Sequence, residues 1–159
     1  RSMPNTPALM QQGITGMFAN KLVNDEQKTI VTTILSTVGK CFWVKEEKLI
    51  DAITAISGSG PAYFFLLMQS MTQAAIALGL DKETASALSV QTSYGASMMA
   101  VKSEEDPQTL RRNVTSPNGT TQAAIESFQD QNFEGIVATA SRAAYDRAHE
   151  ISIELGEKE

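Results

Sequence analysis

The densest group of chemically useful residues in the sequence is Ser116-Pro117-Asn118-Gly119-Thr120-Thr121. Proline at the second place of a four-residue turn, an asparagine tolerant of positive φ and a closing glycine specify a tight reversal. Two threonines then begin a helix. The first N–H groups of a helix have no intrahelical acceptor, and the helix dipole puts partial positive charge there. Hydroxyls from Ser116, Thr120 and Thr121 add further donors. Such a turn suits a small carboxylate or phosphate. Serine and threonine are also ordinary helix caps, so by physics alone simple capping remains an open reading of the same residues.

The remaining candidates are weaker. Gly58-Ser59-Gly60 suggests a phosphate loop but lacks the third glycine and the preceding strand of a dinucleotide fingerprint. It reads as a flexible turn feeding a helix opened by Pro61. His149 stands among Asp146, Arg147 and Glu150 and reads as a surface residue. Cys41 and Trp43 lie in an apolar run and read as packing. Glu104, Glu105 and Asp106 read as a solvated helix end, and the methionines as core filler or adaptable interface. There is no convincing acid/base pair and no Ser-His-Asp order. One cysteine and one histidine exclude an internal disulfide and a His or Cys metal cluster, so no metal site is expected.

Composition narrows the partners. The chain has 159 residues, 42% apolar and 19% charged, with a net charge of -5. That is a globular domain of ordinary size. An acidic surface argues against nucleic acid or an anionic membrane, so an anion must be held by a local site. The single cysteine fits a reducing, cytoplasmic setting. No secretory signal is evident at Arg1 onward. Residues 1–7, with Met3-Pro4-Asn5-Thr6-Pro7, read as a linker from an upstream domain. Residues 52–80 carry no charge, but Ser57-Gly58-Ser59-Gly60-Pro61 should break the run, and Gln69, Ser70, Thr72 and Gln73 lie in its middle. A buried core helix is therefore expected rather than a membrane span.

The elements that must position the turn are helical. Asn24 followed by Asp25, Glu26 and Gln27 predicts a helix start. Its inward residues should be Ile30, Val31, Ile34, Leu35 and Val38, with Gly39 ending it. Residues 8–20 and Cys41-Phe42-Trp43-Val44 lean extended. Residues 46–57 read as a helix with Leu49, Ile50, Ile53 and Ile56 on one side. The next helix should run from Pro61 to about Leu78, stop at Gly79-Leu80, and turn at the Asp81 cap into an antiparallel neighbour. That neighbour is uncharged from Thr84 to Val101 and rich in Ala, Ser and Gly. Two neutral helices need cover on every side, which a second copy of the chain supplies most economically. Short helices are expected at 106–113 and 121–129. A last one, 133–155, should bury Phe133, Ile136, Val137, Ala140, Ala144, Ala148, Ile151 and Leu155. The expected fold is all-α, a helical bundle interlocked with a second protomer, with one or two short extended segments.

Four runs resemble the C-terminal half of Δ1-pyrroline-5-carboxylate reductase. They are Met3-Pro4-Asn5-Thr6-Pro7, Trp43-Val44, the stretch from Asp51-Ala52-Ile53-Thr54-Ala55-Ile56-Ser57 through Gly58-Ser59-Gly60-Pro61-Ala62-Tyr63, and Leu110-Arg111-Arg112-Asn113-Val114-Thr115 followed by Ser116 to Thr121. The last is close to the family signature. The resemblance implies an N-terminal Rossmann domain for NADPH or NADH, residues 8–159 as a helical dimerisation and substrate domain, a homodimer, and in many members rings of dimers. It implies hydride transfer to the imine carbon of pyrroline-5-carboxylate, the last step of proline biosynthesis. By the same resemblance Ser116 and the N–H groups of Gly119 and Thr120 hold the substrate carboxylate. Thr121 places its hydroxyl at the ring nitrogen as the catalytic group, Val114 touches the ring and Asn113 reaches toward the cofactor. Where the family commonly has Gly-Gly, this chain has Asn118-Gly119. Alone, the chain is expected to hold no cofactor tightly and to show no turnover. Two alternatives stay open: a purely structural oligomerisation domain, and the helical domain of a hydroxy-acid dehydrogenase, which the lack of a lysine in a buried helical context disfavours.

Overall fold

The computed structural model describes residues 1–156; the last three residues of the expected 8–159 domain lie outside them. The chain divides into two units, residues 1–63 with 138 onward, and residues 64–137. Most described residues are helical, as expected, but the extended part is larger than one or two segments. Strand β1 (Ser2–Met3), β2 (Gly13–Met17) and β3 (Gly39–Trp43) form one sheet. β1 pairs antiparallel with β2, and β2 parallel with β3 from Gly13↔Gly39 to Met17↔Trp43. Helix α1 (Asp25–Ser36) makes the crossover that parallel strands require.

Glycines permit this sheet. A Cβ on Gly16 would lie 2.3 Å from the Ile53 side chain, and Gly39 holds φ 154 where a Cβ would strike the Gly13 backbone. Short, glycine-bearing strands carry little hydrophobic alternation, so residues 1–7 do not announce the strand and 3-10 turn (Thr6–Met10) that they contribute. Asn5 explains the Pro-Asn-Thr-Pro run. Its Oδ1 accepts from the Ile14 N–H at 2.9 Å, and its Nδ2 donates to the Ser57 carbonyl at 3.1 Å.

That second bond corrects the reading of Gly58-Ser59-Gly60. The segment is not a turn. Helix α2 (Leu49–Ile53) continues through a π-helical turn (Thr54–Gly58) into α3 (Gly60–Ala77), with the Ser59 N–H reaching back to the Thr54 carbonyl at 2.8 Å. Pro61 has no N–H to give Ser57, its partner one α-turn back. Asn5 supplies the missing donor, and the Tyr63 hydroxyl donates to the Ala55 carbonyl at 3.0 Å. Asn5→Ala should therefore strand two backbone groups. A loss of about 2 kcal/mol, read from denaturant unfolding, is the expected outcome.

Asp51 is buried, its side chain 3% exposed. Oδ1 accepts from the Arg1 guanidinium at 2.7 Å and from the Ser152 hydroxyl at 3.0 Å, while Oδ2 lies 3.3 Å from His149 Nδ1. His149 is thus half-exposed, as expected of a surface residue, yet it joins a cluster tying β1, α2 and the last helix, α7 (Phe133–Gly156). Burial opposes ionisation of Asp51, but hydrogen bonds from Arg1, Ser152 and His149 together outweigh it and hold its carboxyl below the usual carboxylate range.

Several local signals hold. Asn24 and Gln27 make a reciprocal capping box on α1. Gly79, at φ 103, and Leu80 return N–H groups to Ile76 and Ala75 in a Schellman turn. Asp81 caps α4 (Lys82–Lys102) through the Thr84 N–H. The expected burial does not follow within one chain. Ile30, Val31 and Ile34 on α1 are exposed, and of the α7 stripe only Ala148 is buried. Along α3, Phe64, Phe65 and Leu66 are 59%, 64% and 63% exposed; along α4, Leu88, Val90, Tyr94, Met99 and Val101 are exposed. Nor do α3 and α4 pack as a hairpin. The extended backbone contacts between elements all lie among the sheet, α1, α2 and the turns beside them. Trp43, expected in the core, is 38% exposed; its Nε1 donates to Thr32 Oγ1 at 2.9 Å.

Candidate functional site

The Ser116–Thr121 turn sits between α5 (Pro107–Asn113) and α6 (Thr120–Asp130), all within the second unit. Asp106 caps α5 by accepting from the Thr109 N–H at 2.8 Å, and that hydrogen bond lowers its carboxyl pKa. Proline in the first turn fixes the start without leaving a donor unmet. At the other end Thr115 returns its N–H to Arg112 and its hydroxyl to Arg111. The chain then reverses. The Gly119 N–H donates to the Ser116 carbonyl at 3.0 Å, with Asn118 at φ 58. Asparagine tolerates that left-handed position better than most residues.

Helix α6 starts without a side-chain cap, because its N-cap is Gly119. The first intrahelical bond is the Ala123 N–H to the Gly119 carbonyl, at 3.2 Å. The N–H groups of Thr120, Thr121 and Gln122 therefore have no acceptor among the described residues, and neither do the hydroxyls of Ser116, Thr120 and Thr121. Three amides and three hydroxyls without partners thus lie at and beside the positive end of a helix, a terminus whose charge favours an anion. Thr121 and Gly119 are half-buried, while Ser116, Thr120 and Val114 are exposed.

Glycine at position 119 has a steric cause. Its φ of -88 suits any residue, but a Cβ there would lie 3.1 Å from the Ser116 carbonyl oxygen. The same geometry changes the expected donor set. The Gly119 N–H is donated within the turn, and the free donors are those of Thr120, Thr121 and Gln122. Gln122 was not singled out by sequence, although a glutamine at the third helical position is a capping-box signal. Here the Gly119 N–H is taken, so Gln122 Oε1 accepts instead from the Asn118 N–H, at 2.8 Å. Asn113, expected to reach toward the cofactor, donates to Glu105 Oε2 at 3.0 Å.

A groove of about 290 Å³ runs beside the turn, lined by Arg111, Arg112, Thr115, Gln122 and Glu126 among others. The Arg111 guanidinium has no ion pair among the described residues, so the flank of the turn is cationic in an otherwise acidic chain. A second concavity, of about 580 Å³, lies between α1 and Trp43 and is lined by Thr29, Thr32, Thr33 and Ser36 together with Asp25 and Lys28. It holds no set of residues suited to acid/base or nucleophilic work.

Among the described residues no three His, Cys, Asp or Glu side chains are grouped to hold a metal. A nicotinamide dinucleotide also finds no complete cradle here. The one Gly-x-Gly stretch lies inside a helix, with Gly58 in the π-turn and Gly60 opening α3, whereas a pyrophosphate needs glycine-rich backbone between a strand and a helix start. The free donors at the start of α6 are of the kind that suits a small anion. The arrangement supplies no group that would donate a hydride.

Residues 47–151 match the family described as pyrroline-5-carboxylate reductase dimerisation. The chain is 55% identical over 157 residues to a pyrroline-5-carboxylate reductase of Pseudomonas aeruginosa, a match covering 99% of the chain and 58% of that protein. It is 42% identical to the Pasteurella multocida reductase, over 95% of the chain and 55% of that protein. Among solved structures, the Coxiella burnetii reductase superposes with a TM-score of 0.91 at 46% identity, over 94% of this chain and 56% of that one. A Plasmodium falciparum pyrroline carboxylate reductase with NADP bound gives 0.85 at 36% identity, over 92% and 60%. The chain thus spans little more than half the length of these relatives.

Proposed function

This chain belongs to the pyrroline-5-carboxylate reductase family through its dimerisation domain, and from that premise we propose that it supplies the substrate-holding, dimer-forming part of an enzyme reducing 1-pyrroline-5-carboxylate to L-proline. The observation that carries this reading is the uncapped start of α6, where the N–H groups of Thr120, Thr121 and Gln122 are free beside three free hydroxyls. The hydride comes from NADPH or NADH, held by a nucleotide-binding half that the described residues carry at most in part.

The chain's own residues then have four tasks. The Ser116 hydroxyl and the Thr120 amide bind the substrate carboxylate. The Gly119 N–H, spent on Ser116 in this conformation, joins them only if the turn opens. Thr121 lies one residue further into the helix, with its hydroxyl placed to accept from the protonated ring nitrogen and hold the imine plane. Val114 offers apolar contact to the ring. Asn113 stands next to Val114 and faces the cofactor side once released from Glu105. Fixing the imine in one orientation is itself a large part of catalysis, since intramolecular positioning can contribute about 7 kcal/mol or more. A titratable catalytic pair is not required.

Domain organisation follows from the same elements. Residues 1–46 lie outside the dimerisation match and fold as a parallel β2-α1-β3 unit with the β1 edge strand. Such units build nucleotide-binding sheets. We therefore place the boundary between the two halves near residue 46 rather than at residue 7. The bare apolar faces of α3 and α4 favour a homodimer, from which rings of dimers can be assembled. Leu49–Ala77 is long and apolar enough to cross a membrane, with a mean hydropathy of 1.3. The break expected at 57–61 is bridged by the π-turn, so that argument against a span fails. Asp51, buried and ion-paired within this segment, favours a protein partner over lipid. A cytoplasmic setting suits the free thiol of Cys41.

The test is Thr121→Val in a polypeptide that carries this chain behind the family's nucleotide-binding half. Loss of at least tenfold in kcat/KM for pyrroline-5-carboxylate is expected, about 1.4 kcal/mol of transition-state stabilisation. Unchanged kinetics would leave only a structural oligomerisation domain. Gly119→Ser gives a complementary result. Its hydroxyl would cap the free amides in place of substrate, so KM for pyrroline-5-carboxylate should rise at least tenfold, with the gain from capping set against the close approach of its Cβ to the Ser116 carbonyl oxygen.

A further inference from the structure

We propose that Gln122 and Glu126 act as positioning residues for the substrate turn, a role resting on the reading of that turn given above. The Gln122 side chain is held at both ends. Its Oε1 accepts from the Asn118 N–H at 2.8 Å, and its Nε2 donates to Glu126 Oε1 at 2.7 Å. This orientation of the amide is dictated by chemistry. A backbone N–H can only donate, so the oxygen must face Asn118, and a carboxylate can only accept, so the nitrogen must face Glu126. Glu126 lies one helical turn beyond Gln122, where i,i+4 side chains meet, and its charge strengthens the bond.

The strut holds the residue that most needs holding. Asn118 sits at φ 58, a conformation that side chains resist. It immediately precedes Gly119, whose N–H closes the turn onto Ser116. Fixing the Asn118 peptide fixes the approach of the chain to α6 and keeps the amides of Thr120 and Thr121 aimed into one space. It does so without consuming them, because a glutamine that reaches back to position 118 leaves the first helical amides free. A serine or aspartate cap would occupy them. Glu126 and Gln122 also line the groove beside the turn, so the strut forms its wall without entering the carboxylate patch.

The test uses the reductase polypeptide with its nucleotide half, and four variants assayed together with pyrroline-5-carboxylate and NADPH. Gln122→Ala should raise the KM for pyrroline-5-carboxylate at least tenfold and leave the KM for NADPH within twofold. Glu126→Gln keeps an acceptor oxygen and should stay within twofold of the parent. Glu126→Leu removes it and should raise the substrate KM about fivefold. Thr121→Val is the control for the site itself. If Thr121→Val is impaired and Gln122→Ala is not, the strut is refuted and the site stands. If Thr121→Val is unimpaired, the site reading fails first. Equal damage from Glu126→Gln and Glu126→Leu, or parallel loss of both KM values with thermal stability, would also overturn the proposal. Should Gln122→Ala not fold, the Glu126 pair decides alone.

Discussion

Replacing Asp51 by alanine is expected to lower folding stability by about 3 kcal/mol at neutral pH. The carboxyl is buried and receives the Arg1 guanidinium, the Ser152 hydroxyl and the His149 ring. Removing it leaves the Arg1 guanidinium only Glu47 and the Ser152 hydroxyl as partners among the described residues, takes from Ser152 one of its two acceptors, the other being the Ala148 carbonyl, and opens space where α2, β1 and α7 meet. Marginal stability makes such a loss a large share of the whole. The pH dependence has a definite sign. Burial raises the pKa of Asp51, the three hydrogen bonds together lower it by more, and the net folded value is below 3.8. Its contribution is therefore fully present above that unfolded value and fades as pH falls through the folded one. Urea midpoints across pH 2 to 7 should show the parent and Asp51→Ala far apart at pH 7 and converging in acid. A constant gap at every pH would mean that the carboxylate's charge does not stabilise the fold.

Phe65→Asp should dissociate the assembly. Phe64, Phe65 and Leu66 are consecutive, so together they cover more than half the circumference of α3, and all three are mostly exposed in the single chain. A monomer has no use for such a surface. Burying one phenylalanine contributes about 2 kcal/mol, and a twofold interface uses it twice. Placing a carboxylate there adds desolvation cost on both sides. The dimer dissociation constant should rise at least a thousandfold, about 4 kcal/mol. Sedimentation equilibrium should read twice 17.2 kDa for the parent at micromolar concentration and monomer or unfolded chain for the variant. A parent that sediments as a monomer would remove the assembly argument altogether.

Legibility in the sequence followed the range of the interaction. The Asn24–Gln27 box, the Gly79-Leu80 stop and the Asp81 and Asp106 helix starts rest on residues within five positions of one another, and each is found where the pattern places it. The Ser116 turn is local too, and its free helix amides follow from Gly119 being unable to cap. What sequence missed acts across distance. At the π-turn, 54–58, the Ser57 carbonyl that Pro61 cannot serve is met by Asn5, more than fifty positions earlier. Read locally, Gly-Ser-Gly-Pro can only look like a break. Asp51 looks like an ordinary charged residue at a helix start until Ser152 and His149 are folded against it. The stripes on α1 and α7 are legible as apolar faces but not as faces left uncovered, because periodicity shows that a face needs burial and not which chain buries it; only the uncharged, unbroken character of α3 and α4 points to cover from a second copy.

The account depends most on the amides of Thr120, Thr121 and Gln122 being free to receive a carboxylate. Adding L-proline to the nitrogen-15-labelled chain and following its backbone amide signals tests this directly. Saturable shifts concentrated on Thr120, Thr121 and Gln122, with Asn118 and the remaining helix starts nearly still, are predicted. Signals at those three residues that do not respond, or that respond no more than the capped starts of α1 and α4, would contradict it.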